Sequence, residues 1–250
     1  MHLPLRIAAL SFALLLAAGC TIPIANPATH PNTTPTALPT STPRPSTSIP
    51  APATPGRPTA EQIRAGAAEL AALTTAVRGP RVKDPRDRFG SAWKDVDHTG
   101  CDQRNEALAR ALRDRVFRPG STCVVQSGIL DDPYSGQPIS FQRGRSLVDI
   151  DHVVPLGHAI RVGAATWTQT QREQFAGDLT LELMPVSASL NRQKGDAPPD
   201  GWLPPNKDYR CTYALRWIAI KAHWHLTITA TERTTLSRLV AGCRPTRATR

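Results

Sequence analysis

The chain has 250 residues, of which 30 are Lys or Arg and 20 are Asp or Glu, giving a formal net charge of +10. Hydrophobic residues make up 40% of it, which excludes a wholly disordered protein and leaves enough apolar surface for an ordinary globular core. The basic excess favours polyanionic partners, such as nucleic acid or anionic envelope polymers.

Residues 1–20 have the features of an export signal. Arg6 supplies a positive charge, and residues 7–18 form an apolar run that is shorter than the roughly 20 residues of a transmembrane helix. Ala17-Ala18-Gly19-Cys20 resembles a lipoprotein cleavage box, in which Cys20 becomes the lipidated first residue; ordinary signal cleavage nearby is the alternative. We therefore expect an exported protein, either held by lipid at the outer face of the cytoplasmic membrane or secreted.

Residues 21–58 contain 11 of the 24 prolines, many Thr and Ser residues, and no acidic residue. Proline lacks a backbone donor and fixes φ, so such a segment forms no regular ladder and buries little apolar surface. We expect a disordered, extended tether here. Residues 59–250 are then a single domain of ordinary size.

Two helices are predicted at the start of this domain. The first covers 60–78, with Thr59 as its N-cap and Gly79-Pro80 after its end. Its inward stripe comprises Ile63, Ala67, Leu70, Leu73 and Val77. A second helix begins after Asp102, which is its N-cap. Its inward side chains are predicted to be Leu108, Ala111 and Leu112.

The rest of the domain combines short strands with helices. Strands are predicted at 123–125, 129–130, 138–141 and 146–154, and a further short apolar segment covers 181–186. Helices are predicted at 156–164, at 169–177, from Ser187 or Ser189, at 213–224 and at 232–241. These elements predict an α+β fold, a mainly helical domain with a small antiparallel sheet.

Four cysteines follow Cys20, namely Cys101, Cys123, Cys211 and Cys243. An even number in an exported chain predicts two disulfides, and the lack of a Cys-x-x-Cys pair argues against a zinc ribbon or a thioredoxin-like site. Three connectivities are open. We favour Cys101–Cys123 with Cys211–Cys243, because each bond closes a local loop around one helical segment.

Two short sequence motifs contain the candidate catalytic and metal-binding residues of the domain. The predicted strand ends with Asp151 and His152, and Asn191 and Lys194 lie three residues apart, on one face of a predicted helix. Carboxylate and amide oxygens are hard ligands that suit Mg²⁺ or Mn²⁺, and a neutral imidazole can deprotonate water. The pattern predicts a phosphodiesterase that uses one divalent metal ion.

Asp-His-x-x-Pro at 151–155, followed by Asn-x-x-Lys-Gly-Asp at 191–196, resembles the ββα-metal (HNH) nuclease motif. The surrounding domain is similar to secreted HNH proteins that are related to the C-terminal domain of GmrSD restriction endonucleases. The strings that carry this wider similarity are 100–105, 132–136 and 202–204. The resemblance covers about residues 80–243, and it implies an HNH motif embedded in the fold.

The resemblance also implies a role for each residue of the motif. His152 would be the general base that activates water, and Asp151 and Asn191 would bind the divalent cation. Lys194 and Arg192 would contact the flanking phosphate of the substrate.

The middle position of the motif departs from the family pattern, because Glu182 stands where Asn or His is usual. It would either hold the tautomer of the His152 ring through a hydrogen bond, or raise the pKa of that ring and slow proton removal.

Three further residues are candidates for a role at the site. Asp149 lies on the same strand face as Asp151, the predicted metal ligand, and is either an outer-shell residue or a solvated side chain. His158 either approaches the site or is a surface or capping residue. Arg104 belongs to the resembling segment, where we expect a structural role beside a disulfide.

The leading hypothesis is an extracytoplasmic, metal-dependent endonuclease with little sequence preference. We expect a monomer that cuts DNA rather than RNA and is attached to the membrane through lipid. The first alternative is a catalytically impaired module that binds nucleic acid or envelope polyanions, which the departure at Glu182 favours. The second alternative is a structural envelope lipoprotein, which would explain the tether but not the motif.

Overall fold

The computed structural model of the chain describes residues 57–145 and 147–246. The predicted signal, Cys20 and the tether up to residue 56 lie outside the described residues, and so does Ser146, at the start of a predicted strand. Within the described residues, no helix is long and apolar enough to cross a membrane.

Seven α-helices and five β-strands, with short 3-10 turns between some of them, make up the described part of the chain. The helices are α1 (Ala60–Ala72), α2 (Gln103–Ala111), α3 (Leu156–Arg161), α4 (Gln169–Ala176), α5 (Ala188–Lys194), α6 (Arg210–His223) and α7 (Ala230–Ala241). The strands are β1 (Leu112–Phe117), β2 (Val125–Asp131), β3 (Pro138–Gln142), β4 (Val148–His152) and β5 (Leu183–Ser187).

The strands form two small antiparallel sheets. One has the order β1-β2-β3, and the other consists of β4 paired with β5. Helix α5 follows β5 directly and packs against both strands of the second sheet. The predicted α+β architecture with a small antiparallel sheet is confirmed.

The second sheet lies between two apolar cores. The larger core is built around α6, on which α1 and α7 pack, and it includes Met184 and Val186 of β5. The smaller core lies between α2 and the first sheet, and it includes Ile150 of β4 and Leu183 of β5. Because successive side chains of a strand point to opposite faces, both faces of this sheet are anchored by packing.

Both predicted helix caps at the start of the domain are confirmed. The Thr59 side chain accepts a hydrogen bond from the Gln62 amide, and the Gln62 side chain accepts from the Thr59 amide, so the two form a capping box. Asp102 accepts from the Asn105 amide at the start of α2. The caps can be predicted from the local sequence because each cap side chain accepts a hydrogen bond from a backbone amide of its own helix.

The predicted end of the first helix is wrong. Helix α1 stops at Ala72, and the chain then runs extended, with the Ala76 amide bonded to the carbonyl of Ile228 at 2.9 Å. This distant partner takes up backbone groups that a longer helix would have paired internally. Val77, predicted to face inwards, is consequently 95% exposed, and Ala67 is exposed as well.

The region after α2 also differs from the prediction. Ala111 is exposed, and Leu112 begins strand β1 instead of ending a helix, with Leu112 paired to Leu130 and Phe117 to Val125. Strand β1 forms backbone hydrogen bonds with the edge of β2, and the periodicity of the local sequence does not reveal this pairing. Most of the remaining elements lie where they were predicted, although α3 ends three residues early, at Arg161.

The structure joins Cys101 to Cys123 and Cys211 to Cys243, as predicted. Their Cα–Cα distances are 5.4 and 5.6 Å, which are ordinary for disulfides. The first bond connects the residue before the Asp102 cap to the segment leading into β2. The second ties the first turn of α6 to the residue after Gly242, beyond the end of α7.

Candidate active site around His152

His152 is the last residue of β4, and one backbone carbonyl fixes its ring. Nε2 lies 3.0 Å from the carbonyl oxygen of Ala176, the last residue of α4. A carbonyl oxygen only accepts hydrogen bonds, so Nε2 carries the ring proton and Nδ1 keeps its lone pair. In this tautomer the ring can take a proton through Nδ1.

The surroundings of this ring hold it in the neutral state. Trp93 stacks on it, with ring centroids 6.2 Å apart and planes 13° from parallel. The residue is half-buried, and the loss of hydration around its ring lowers the pKa of His152 to about 3. The hydrogen bond to Ala176 opposes this shift, and the charges of Arg86 and Lys194 add to it. The ring is therefore unprotonated at neutral pH, which a general base requires, but its low pKa makes it a weak base.

Asp151 is buried, and its charge is already paired. Both of its carboxylate oxygens accept from Lys194 Nζ at 2.8 Å, and Oδ2 also accepts from the Tyr134 hydroxyl. Lys194, which the resemblance implied as a phosphate contact, has 0% of its side chain exposed. Its ammonium points into the protein, so a contact with substrate phosphate would require it to leave Asp151.

The carboxylate of Asp151 and the ring of His152 leave opposite faces of β4. Asp151 lies opposite Met184, on the face that packs towards the larger core, where Tyr134 is also found. His152 lies opposite Leu183, on the face of the smaller core. We expected both groups beside one metal ion; the structure instead pairs the carboxylate with Lys194.

Asn191 and Arg192, both on α5, reach Asp149. Asn191 Nδ2 lies 3.4 Å, and Arg192 Nε 3.5 Å, from Asp149 Oδ2. The Arg192 side chain is 62% exposed. Its contact with a substrate phosphate stays a prediction from the resemblance. Asp149 thus links β4 to α5 at the rim of the site.

Glu182 is fully buried, and its carboxylate accepts a hydrogen bond from the backbone, whereas one of the two expected alternatives was a hydrogen bond with the His152 ring. Its carboxylate oxygens lie 3.1 and 3.4 Å from the Val154 amide, which donates to them. Burial raises the pKa of Glu182 well above its usual value; the charge of Lys194 opposes this shift and that of Asp151 reinforces it. Glu182 therefore stabilises the backbone just after the end of β4.

His158 lies in a second buried cluster, within the core between α3, α6 and α7. Its Nε2 is 3.1 Å from Lys221 Nζ and 3.7 Å from Glu232 Oε1. Trp217 Nε1 also donates to Glu232. The surface or capping position considered for His158 is therefore wrong, because its side chain is 0% exposed.

Arg104 lies half-buried on α2, shortly after the Cys101–Cys123 disulfide. Burial lowers the pKa of Arg143, and the nearby charge of Arg104 lowers it further. The structural role expected for Arg104 beside the disulfide stays a prediction.

The predicted metal ligands do not fit a shared divalent ion in this arrangement. Both oxygens of Asp151 contact an ammonium, and the Asn191 amide contacts Asp149. Over residues 57–145 and 147–246, no group of three or more His, Cys, Asp or Glu side chains is placed to hold a metal ion. The Mg²⁺ or Mn²⁺ cofactor stays a prediction from the sequence.

Three contacts of the site were missed by sequence reasoning: those of Trp93, Tyr134 and the Ala176 carbonyl. Tyr134 lies within the turn sequence 132–136, and a large aromatic residue at such a position could have indicated a buried contact. Trp93 and Ala176 lie 59 and 24 residues away from His152 in the chain and carry no local pattern. Only the tertiary fold brings them to the ring.

The pattern of the C-terminal domain of GmrSD restriction endonucleases matches residues 102–239, more than half of the chain. The chain belongs to this family. The GmrSD match includes β4, β5 and α5, and with them every residue described above around the Asp151 carboxylate. The family is nuclease-related, and at this general level it indicates nuclease activity.

One relative, which this chain matches over nearly its full length, is a secreted protein. An uncharacterized secreted protein of Arthroderma benhamiae is 35% identical over 199 residues, which are 79% of this chain and 93% of that protein. No solved structure matches the chain significantly. The two disulfides fit an oxidising, extracytoplasmic compartment.

Proposed function

We propose that the chain hydrolyses phosphodiester bonds of nucleic acid outside the cytoplasm, with His152 as the general base. The observation that carries this proposal is the tautomer of His152, whose Nε2–H is held by the Ala176 carbonyl. A family of nucleases supplies the reaction class, and this ring supplies a group able to begin it.

In the proposed reaction, His152 Nδ1 takes a proton from water as the water oxygen bonds to phosphorus. The bond from phosphorus to the departing sugar oxygen then breaks, and that oxygen takes a proton from solvent. A phosphate anion beside the ring favours the imidazolium and thus raises the low pKa of His152 when substrate is bound. We assign no step to a metal ion, because Asp151 and Asn191 do not fit one as arranged.

The substrate side of the proposal rests on charge. Arg192 is exposed at the rim, and Arg86 lies near enough to lower the pKa of His152. Contacts of this kind bind the phosphate backbone and read little sequence. We propose DNA as the preferred substrate and a monomer as the active form.

The localisation proposal adds lipid anchoring to the secretion that the relative and the disulfides indicate. Cys20 would carry the lipid, and residues 21–58 would separate the domain from the membrane. Radiolabelled palmitate incorporation by the wild type, and its loss in Cys20→Ser, is the expected result; equal labelling would contradict it.

A second candidate function is a binding module without hydrolytic activity. It is favoured by two observations, the low pKa of His152 and the pairing of Asp151 with Lys194. Supercoiled plasmid distinguishes the two candidates. We expect nicking by the purified protein, measured with Mg²⁺, with Mn²⁺ and with EDTA. The binding module would be favoured if the protein slows the migration of the plasmid in a gel-shift assay and does not nick it under any of the three conditions. Added salt should weaken this binding.

A further inference from the structure

Lys194 has all of its donors satisfied inside the protein. An ammonium carries three N–H groups, and Lys194 Nζ has three oxygen acceptors at 2.8 Å: both carboxylate oxygens of Asp151 and the backbone carbonyl of His152. The side chains of Lys194 and Asp151 are 0% and 5% exposed. Water therefore does not compete for these contacts, and it screens the two charges poorly.

These three oxygens form a cage of the kind that surrounds a hard cation. Carboxylate and backbone carbonyl oxygens bind Mg²⁺ or Ca²⁺ at roughly 2.0–2.6 Å. The ammonium of Lys194 lies where such an ion would have to lie in order to reach both oxygens of Asp151. A divalent ion and the ammonium would then be close together in a buried pocket, where like charges repel strongly.

We propose that Lys194 supplies the positive charge at Asp151 from within the chain, and that this pocket accepts a divalent cation only when the ammonium is removed. The side chain is part of the fold, so the charge is present without any ion from solution. Cation binding at Asp151 is independent of whether the chain cuts nucleic acid.

Neighbouring groups are consistent with a single positive charge in this pocket. The Tyr134 hydroxyl donates a hydrogen bond to the Asp151 carboxylate, so the phenol keeps its proton in this contact and brings no charge to the pocket. Burial raises the pKa of the Glu182 carboxyl group, which favours its neutral form. Asp151 and Lys194 are thus a balanced pair, and a divalent ion added to them would leave excess positive charge.

The test compares Mn²⁺ binding by the wild type, Lys194→Ala and the double variant Lys194→Ala/Asp151→Asn, using electron paramagnetic resonance of free Mn²⁺. Lys194→Ala removes the ammonium and opens space for an ion with its waters. We expect one additional Mn²⁺ per chain in Lys194→Ala, bound at least about 10-fold tighter than any wild-type site, because the repulsion at short range is gone. The double variant should lose this site again. Equal Mn²⁺ binding by all three proteins would overturn the proposal.

A second measurement uses the wild type alone, so the proposal does not depend on the folding of a variant. The ammonium of Lys194, buried and fully paired, should give a slowly exchanging ¹⁵N–¹H signal. We expect this signal to keep its linewidth in the presence of Mn²⁺, since no ion lies beside it. Strong paramagnetic broadening of the signal at one equivalent of Mn²⁺ would show an ion at Asp151 and overturn the proposal. If Lys194→Ala is unfolded, recovery of its fold on addition of Mn²⁺ is the supporting result, and failure to recover counts against the site.

Discussion

At the scale of single residues, the site is defined by what each polar atom already contacts. The Ala176 carbonyl selects the tautomer of His152, and Lys194 neutralises Asp151. The sequence placed Asp151 and His152 next to each other, and this adjacency suggested one shared site. In an extended strand, adjacency sends the two side chains to opposite faces, so the same observation predicts their separation.

The low pKa of His152 makes the fold sensitive to acid. Its folded-state pKa of about 3 lies below the ordinary value of 6.5, so between these values the unfolded chain binds a proton that the folded chain does not. This residue's contribution to stability is therefore full above pH 6.5 and falls as the pH drops towards 3. We expect the His152 ring to remain neutral at pH 5 in a ¹H–¹⁵N NMR titration. An apparent pKa near 6.5 would show that the ring is not desolvated in the folded protein.

Glu182 has the opposite pH dependence. Its pKa is raised by burial, so the folded chain keeps a proton to higher pH than the unfolded chain, and stability falls as the pH rises above about 4.5. Glu182→Gln keeps an acceptor for the Val154 amide and removes the ionisation. We expect a higher melting temperature than wild type at pH 7 and a difference that shrinks as the pH approaches 4.5. A variant less stable than wild type at pH 7 would contradict this account.

At the scale of elements, the caps and apolar periodicity predicted most helices, and long-range pairing decided the rest. Thr59 and Asp102 start their helices through contacts three residues away, so the local sequence contains both partners of each cap. The end of α1 depends on Ile228, more than 150 residues later, and β1 depends on the edge of β2. Elements whose ends are set by distant partners cannot be delimited from local sequence.

Helices α6 and α7 are joined by a buried charge cluster that carries its own prediction. Glu232 contacts Lys221 Nζ at 2.7 Å, and both side chains are 0% exposed. Burial alone would raise the pKa of Glu232, but the contacts with His158 and Lys221 lower it to about 2. Its contribution to stability is thus full above its ordinary pKa of 4.5 and is lost as the pH falls towards 2.

Glu232→Gln removes the anion and leaves Lys221 charged in the core. We expect a loss of about 3–5 kcal/mol in the free energy of unfolding, measured by urea denaturation at pH 7. Glu61→Gln, on the exposed surface of α1, is the matched control and should change stability by less than about 0.5 kcal/mol. Similar losses in both variants would mean that the cluster does not join the two helices.

At the scale of the whole molecule, sequence reasoning reached the family, the α+β class and the disulfide pairing. It did not reach the geometry of the site, because the partners of His152 come from two other parts of the chain, around Trp93 and Ala176. The burial of Lys194 was hidden for a related reason. A lysine near a helix end is usually solvated, and only the packing of α5 on β4 and β5 turns this one inwards.

The most direct test of the account is the rate of plasmid cleavage by His152→Ala, compared with wild type and with His223→Ala, a histidine that is exposed at the end of α6. All three proteins should show the same folded circular dichroism spectrum. We predict that His152→Ala cleaves at least about 100-fold more slowly than wild type, since a general base contributes this much or more, and that His223→Ala cleaves at the wild-type rate. Equal rates for His152→Ala and wild type would contradict the assignment of His152 as the base.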